Sequence, residues 1–305
     1  MKEDNTTISN SASFGLASKV KDYFKLMKFT LSFLVVFSTV ISFLIAPNEQ
    51  YYTRPKIISV LLLFVGGLLI TGSANTINQV LEKNTDAMMK RTAGRPVASG
   101  RMSAEEATVF AIITGALGVF IMWYWFNMQS ALIGLFGLFL YGFIYTPLKK
   151  VNSIAVLVGA LPGALPCLIG WVAATDSFDT GGWILFGIQF LWQFPHFWAI
   201  AWVAHKDYSA AGFKLLPSDK GPTKFTAIQT IMYSVMMIPI GILPHFYQIT
   251  GIISMWIVTF CNLWMVYCSI ILYMKMDIPS ARKVMFSSYF YLMIVFLSLY
   301  ADRIR

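Results

Sequence analysis

Asn78, Glu82 and Asp86 stand at i, i+4 and i+8 in the stretch from Asn75 to Pro96. On an α-helix four residues advance about 400°, so these side chains form one stripe, each about 6 Å beyond the last. Two carboxylates at i, i+4 repel each other mildly. A cation between them resolves that repulsion. Hard oxygen ligands from one or two carboxylates, completed by phosphate oxygens and waters, describe a Mg2+ site. Lys90, Arg91 and Arg95 follow at helical spacing, and guanidinium forks suit phosphate oxygens. The plainer alternative is a solvated helix end on which Asp86 and Lys90 form a weak surface pair. Spacing alone divides the two readings about evenly. The position of Asn75 and Asn78, which carry the stripe back into an apolar run, favours a site.

A second polar group runs from Trp192 to Gly212. Gln193 and His196 interrupt an aromatic segment containing Trp192, Phe194, Phe197, Trp198 and Trp202, and His205, Lys206 and Asp207 follow. His196 fits a core histidine bonded to a neighbouring helix, or a ligand contact. Asp207 fits a helix-end charge or a second acidic group, and Lys206 fits an anchor to anionic lipid or a phosphate contact. The aromatic run fits an interfacial belt or the wall of a pocket for a flat or polyunsaturated ligand. Tyr141, Tyr145, Lys149 and Lys150 raise the same choice between membrane anchoring and phosphate contact.

The elements that must position these groups are membrane spans. Of 305 residues, 57% are hydrophobic and only 12% charged, against about 25% charged in ordinary globular chains. That composition excludes a disordered chain, a disulfide scaffold and a conventional soluble enzyme. The fold class it implies is an all-α polytopic membrane protein, because lipid offers no partner for free backbone groups. Nine spans are expected: 29–46, 57–77, 107–125, 131–146, 154–174, 183–204, 227–243, 252–273 and 284–300. Pro47, Pro55, Pro147 and Pro244 punctuate them. Gly159, Pro162, Gly163, Pro166 and Gly170 break up the fifth, allowing close helix packing or a cavity-lining backbone. Alternate connections carry 19 Lys and Arg on one side and 4 on the other, which places the N-terminus in the cytoplasm. The net charge of +9 then belongs to anionic membrane lipid, and no nucleic-acid partner is expected. Residues 1–28 are expected as a cytoplasmic tail and 29–305 as one transmembrane domain. Cys167, Cys261 and Cys268 lie in apolar runs and read as buried thiols.

Two acidic groups at the inner surface of an apolar bundle suit a Mg2+-bound diphosphate at the mouth, held by Asn78, Glu82, Asp86 and Asp207, with its hydrocarbon tail in the interior. Metal and Lys/Arg groups would neutralise charge on the departing diphosphate. Aromatic faces would stabilise an allylic cation.

The Asn-x3-Glu-x3-Asp stripe followed by Met89-Lys-Arg-Thr-x2-Arg95-Pro resembles the first acidic motif of the UbiA superfamily of intramembrane prenyltransferases, and the resemblance runs over nearly the whole chain. Tyr145-Thr-Pro-Leu-Lys149, the Gly159–Pro166 run into Gly170-Trp171, Trp192-Gln-Phe-Pro-His196-Phe-Trp198, and Asp207-Tyr-x3-Gly212 ending in Leu216-Pro217 are similar to the haem-modifying branch, the protohaem IX farnesyltransferases. That resemblance implies a bundle of nine helices in a bacterial inner membrane, with its active site facing the cytoplasm. It implies farnesyl diphosphate and haem b as substrates, Mg2+ as cofactor, haem O as product, and hand-off to a haem A synthase or terminal oxidase assembly. Asn78, Glu82, Asp86 and Asp207 would be catalytic and metal-binding. Lys90, Arg91, Arg95, Lys149 and Lys206 would hold diphosphate. Asn75, Tyr145, Trp192, Gln193, His196 and Trp198 would line the haem and prenyl pocket. Glu82 stands where the superfamily more often has Asp, and Asp207 lacks the paired acid found elsewhere in it. Two other functions compete: a prenyltransferase of the same fold acting on an aromatic quinone precursor, and a transporter with a midplane polar site. The clustering of acids near one face counts against the transporter.

Overall fold

A computed structural model describes residues 15–47, 54–218 and 220–304, and the first part of the expected tail, residues 1–14, lies outside them. Every extended element among the described residues is helical. In chain order these are α1 (Leu16–Leu26), α2 (Phe29–Ile45), α3 (Lys56–Leu81), α4 (Lys83–Met88), α5 (Ala104–Ile121), α6 (Met128–Phe139), α7 (Thr146–Leu148), α8 (Ala155–Thr175), α9 (Thr180–Val203), α10 (His205–Ala210), α11 (Lys224–Phe246), α12 (Ile252–Lys275) and α13 (Ile278–Ala301). Wider π-turns at Met122–Phe126 and Leu140–Tyr145 extend α5 and join α6 to α7. Among the described residues eight helices are long and apolar enough to cross a membrane. α1 and α2, bent by 51° where they meet, bring the count to nine when the pair is taken as one broken span.

The expected spans therefore stand, with two corrections at their ends. Part of the stretch read as tail is α1. Its Leu26 is buried with Val97, Met102 and Ala107, Asp22 pairs with Arg101 at 3.1 Å, and Lys19 pairs with Glu106 at 2.7 Å. Polar on one side and apolar on the other, α1 has no long apolar run to betray it. The second correction concerns Pro244, which sits inside α11 rather than ending it.

α8 and α9 form the centre: 72% of each span is buried, against 28–44% for the other six long helices. α2 lies against α3, α8 and α13, while α9 lies against α8, α11 and α13. Small residues on α8 permit this closeness. A Cβ on Gly170 would run into the Thr39 carbonyl of α2, and one on Gly163 into Gln193 of α9. Gln189 and Gln193 donate to the carbonyls of Gly163 and Ala160, each at 2.9 Å. These bonds cross-brace two helices that contain Pro162, Pro166 and Pro195. The outward surface is apolar, with Ile57, Phe260 and Met274 all more than two-thirds exposed, as a lipid-facing surface must be.

Candidate active site

α3 does not stop where the apolar run fades. It continues one turn past Ile77 and ends at Leu81, with Glu82 as the junction to α4. The Asp86 amide still donates to the Glu82 carbonyl at 2.7 Å, so the helical register survives the junction. Asn78, Glu82 and Asp86 are all buried, at 2%, 4% and 0% exposure. That decides against a solvated helix end. Two buried carboxylates need compensation, and each has a cation: Lys149 Nζ lies 2.6 Å from Glu82, and Arg95 Nη1 lies 2.7 and 2.6 Å from the two Asp86 oxygens.

Arg95 reaches Asp86 because the chain leaves the helix, which corrects the expectation that Lys90, Arg91 and Arg95 continue at helical spacing. Met89 is extended, and turns follow to Ser103. Met89 is pulled inward by burial against Ala211 and Phe213. The turn folds Arg95 back onto Asp86, sends Arg91 to the Tyr208 hydroxyl at 2.7 Å and leaves Lys90 exposed.

Two groups that the sequence reading left out of the site complete this floor. Lys28 adopts a left-handed conformation (φ 47°) between α1 and α2, which costs a non-glycine residue about 1 kcal/mol. The bend there brings its ammonium to donate to Asn78 Oδ1 at 3.1 Å. The π-turn after α6 lets the Thr146 hydroxyl donate to the carbonyl five residues back, at Tyr141, so that its oxygen accepts from Asn78 Nδ2 at 3.2 Å. Neither interaction is a matter of residue spacing. Burial draws the Lys149 ammonium below the usual lysine range, while Glu82 pulls it back up. Three cations (Lys28, Lys149 and Arg95) thus stand around two carboxylates, with Arg91 further out on the Tyr208 hydroxyl. The surplus of positive charge suits a polyanion.

The segment after α9 closes over this floor. The Phe213 and Tyr145 rings lie 5.3 and 4.9 Å from Lys149 Nζ, and the Lys214 amide donates to the Lys149 carbonyl at 2.8 Å. The two polar groups therefore share one end of the bundle. Asp207 and Lys206 are exposed on α10. Among the described residues no three His, Cys, Asp or Glu side chains gather as a metal cluster, so Asp207 does not join Glu82 and Asp86. Asn78, Glu82 and Asp86 alone are a donor set that fits Mg2+, which keeps several waters and few protein ligands.

The expected pocket residues divide. Tyr145 lies beside Tyr141 (centroids 5.3 Å apart) and against Gly159. His196 stacks on Trp192, 4.7 Å between centroids. By contrast, Asn75 donates to Ser32 at 3.1 Å, Gln193 braces α8, and Trp198 packs with Phe194 and Tyr233. Those three hold helices together. Polarity in an apolar run flags both kinds of residue alike.

Compared with known proteins, residues 35–295 match the model of the UbiA prenyltransferase family. The chain is 39% identical to the protoheme IX farnesyltransferase of Cytophaga hutchinsonii over 95% of its own length and 100% of that protein. It is also 39% identical to the enzyme of the same name from Flavobacterium psychrophilum, over 92% of its own length and 93% of that protein. Among solved structures, one reported under the biosynthesis of digeranylgeranylglyceryl phosphate synthase in membranes superposes with a TM-score of 0.77 at 21% identity, covering 93% of this chain and 98% of that one. A UbiA homolog from Archaeoglobus fulgidus bound to GPP and Mg2+ superposes with a TM-score of 0.65 at 16% identity, covering 91% and 99%. At those identities the likeness is one of fold, that of a multi-pass membrane protein.

Proposed function

The chain belongs to the UbiA prenyltransferase family, and from that premise we propose that it transfers farnesyl from farnesyl diphosphate to a vinyl group of protohaem IX (haem b), giving haem O. Relatives of that name over nearly the whole chain support the reaction. The observation that carries the site is the pairing of two buried carboxylates, Glu82 and Asp86, with Lys149 and Arg95 at one end of the bundle.

α1 to α13 act as one prenyltransferase domain in a bacterial inner membrane, and the site opens to the cytoplasm. Asn78, Glu82 and Asp86 would hold a Mg2+, which would neutralise charge on the diphosphate as it departs. Arg95 and Lys149 exchange their carboxylates for phosphate oxygens, and Arg91, Lys90 and Lys28 add to the cradle. Lys206 stands exposed on α10 at the same end of the bundle, where it attracts the diphosphate, and Asp207 beside it stays outside the metal's donor set. The C1–O bond breaks and its electron pair leaves with the diphosphate. The Tyr145 and Trp192 faces stabilise the allylic cation, and the terminal vinyl carbon of the haem, held beside His196, captures it to form the new C–C bond. The positive charge passes to the vinyl carbon next to the porphyrin ring, where a water from the mouth of the site adds and gives up a proton, leaving the hydroxyl of haem O. An apolar groove of about 720 Å³ starts at Ile77, next to Asn78, and runs between α3, α5 and α6 to Trp123. It opens on the lipid-facing surface and offers room for the farnesyl chain in apolar surroundings, away from water that would quench the cation. The product passes to a haem A synthase or to terminal oxidase assembly.

Mass analysis of haems extracted from cells with and without the protein tests this directly. A farnesylated haem that requires the protein is the expected result. Haem b unchanged in both, alongside a prenylated aromatic quinone precursor, would reassign the acceptor.

A further inference from the structure

His196 lies on α9 with its ring stacked on Trp192 and edge-on to Tyr289 of α13, 5.0 Å between centroids. Its Nδ1 is 2.7 Å from Ser288 Oγ. That hydroxyl has a single hydrogen, which it donates to the Met285 carbonyl at 2.6 Å. An oxygen whose proton is committed there must accept from the imidazole, so Nδ1 carries the proton and Nε2 the lone pair. The same residue fixes the stack from the other side, because Trp192 Nε1 donates to the Ser288 carbonyl at 2.8 Å. Among the described residues the hydrogen bond of His196 is made through Nδ1, and none reaches Nε2. His196 lies two turns before the end of α9, the end at which α10 carries Tyr208 to Arg91. An imidazole that donates through one nitrogen to a fixed oxygen and leaves the other free has the arrangement of a metal-ligating histidine.

We propose that Ser288 is a positioning residue that locks His196 as the Nδ1–H tautomer, so that Nε2 ligates the iron of the haem substrate and turns its vinyl edge toward the cradle. The proposal rests on the haem reading above and deepens it. Trp192 and Tyr289 keep the ring from rotating, and the Ser288 hydroxyl chooses which nitrogen faces the iron.

The test is optical titration of haem b into the purified protein and its variants, following the Soret band. The wild type gives an imidazole-ligated spectrum, which His196→Ala loses. Ser288→Ala weakens haem affinity about tenfold, the lower end of what loss of such an outer partner costs. Ser288→Thr, which keeps the hydroxyl, restores it. His196→Gly with added imidazole regains the ligated spectrum, which shows that the pocket still folds. A wild-type spectrum without a nitrogen ligand overturns the proposal, as does a Ser288→Ala protein with unchanged affinity and spectrum. Farnesyl transfer by wild-type membranes is scored separately. Haem O formation with unaffected variant spectra removes the Ser288–His196 assignment alone, whereas a wild type that makes no haem O removes the reaction itself.

Discussion

Lys149 and Arg95 are structural partners before they are ligands. Glu82 and Asp86 are buried, and removing one member of a buried pair leaves an uncompensated charge that costs about 3 kcal/mol. Lys149→Met should therefore lower the thermal stability of the ligand-free protein, and Glu82→Gln in the same chain should recover most of that loss. Unfolding followed in detergent reads both, and a Lys149→Met protein as stable as the wild type would remove Glu82 from the account as a charged residue. At this scale the acidic stripe was legible, because i, i+4, i+8 spacing and polarity inside an apolar run both survive folding. Lys28 and Thr146 were not. One reaches Asn78 through a left-handed residue, the other through a π-turn, and both are backbone events that side-chain spacing does not encode. Ser288 gave no signal either, being one of several serines on an apolar helix.

The nine spans could be read from apolar length and from proline and charge punctuation, since lipid enforces that pattern. The short helices could not. α1 is amphipathic and is held to the bundle by Asp22–Arg101 and Lys19–Glu106. α4 stops at Met88 because burial of Met89 outweighs the helical continuation that Lys90 and Arg91 would have favoured. What the small residues of α8 do is testable at this scale. Gly170→Val meets the Thr39 backbone, which cannot swing aside as a side chain would, and it should cost about 1–3 kcal/mol or more. Gly94→Ala, with nothing within 4 Å of the added carbon, should stay within about 0.5 kcal/mol of the wild type. Equal thermal midpoints for the two variants would show that the α2–α8 contact does not depend on the missing Cβ.

Across the whole molecule, the connections sort onto two ends. Lys28, Glu82, Asp86, Lys149 and α10 meet at one. At the other, Asp302 accepts from the Ser254 amide at 2.7 Å and Arg54 donates to the Trp125 carbonyl at 2.6 Å. The Lys/Arg asymmetry supports the proposed orientation, with the first end toward the cytoplasm. In a cysteine-free background, an impermeant maleimide added outside should label Tyr247→Cys. Lys90→Cys and Lys206→Cys should react only after permeabilisation. Labelling of all three from one side would contradict the orientation. The central claim is that Asp86 and its neighbours grip a metal–diphosphate head, and farnesyl diphosphate binding to the purified protein, titrated with and without Mg2+, tests it most directly. Mg2+-dependent binding by the wild type, weakened at least about tenfold in Asp86→Asn, is the result expected. Equal Mg2+-dependent affinity in the two proteins would show that the diphosphate is held elsewhere.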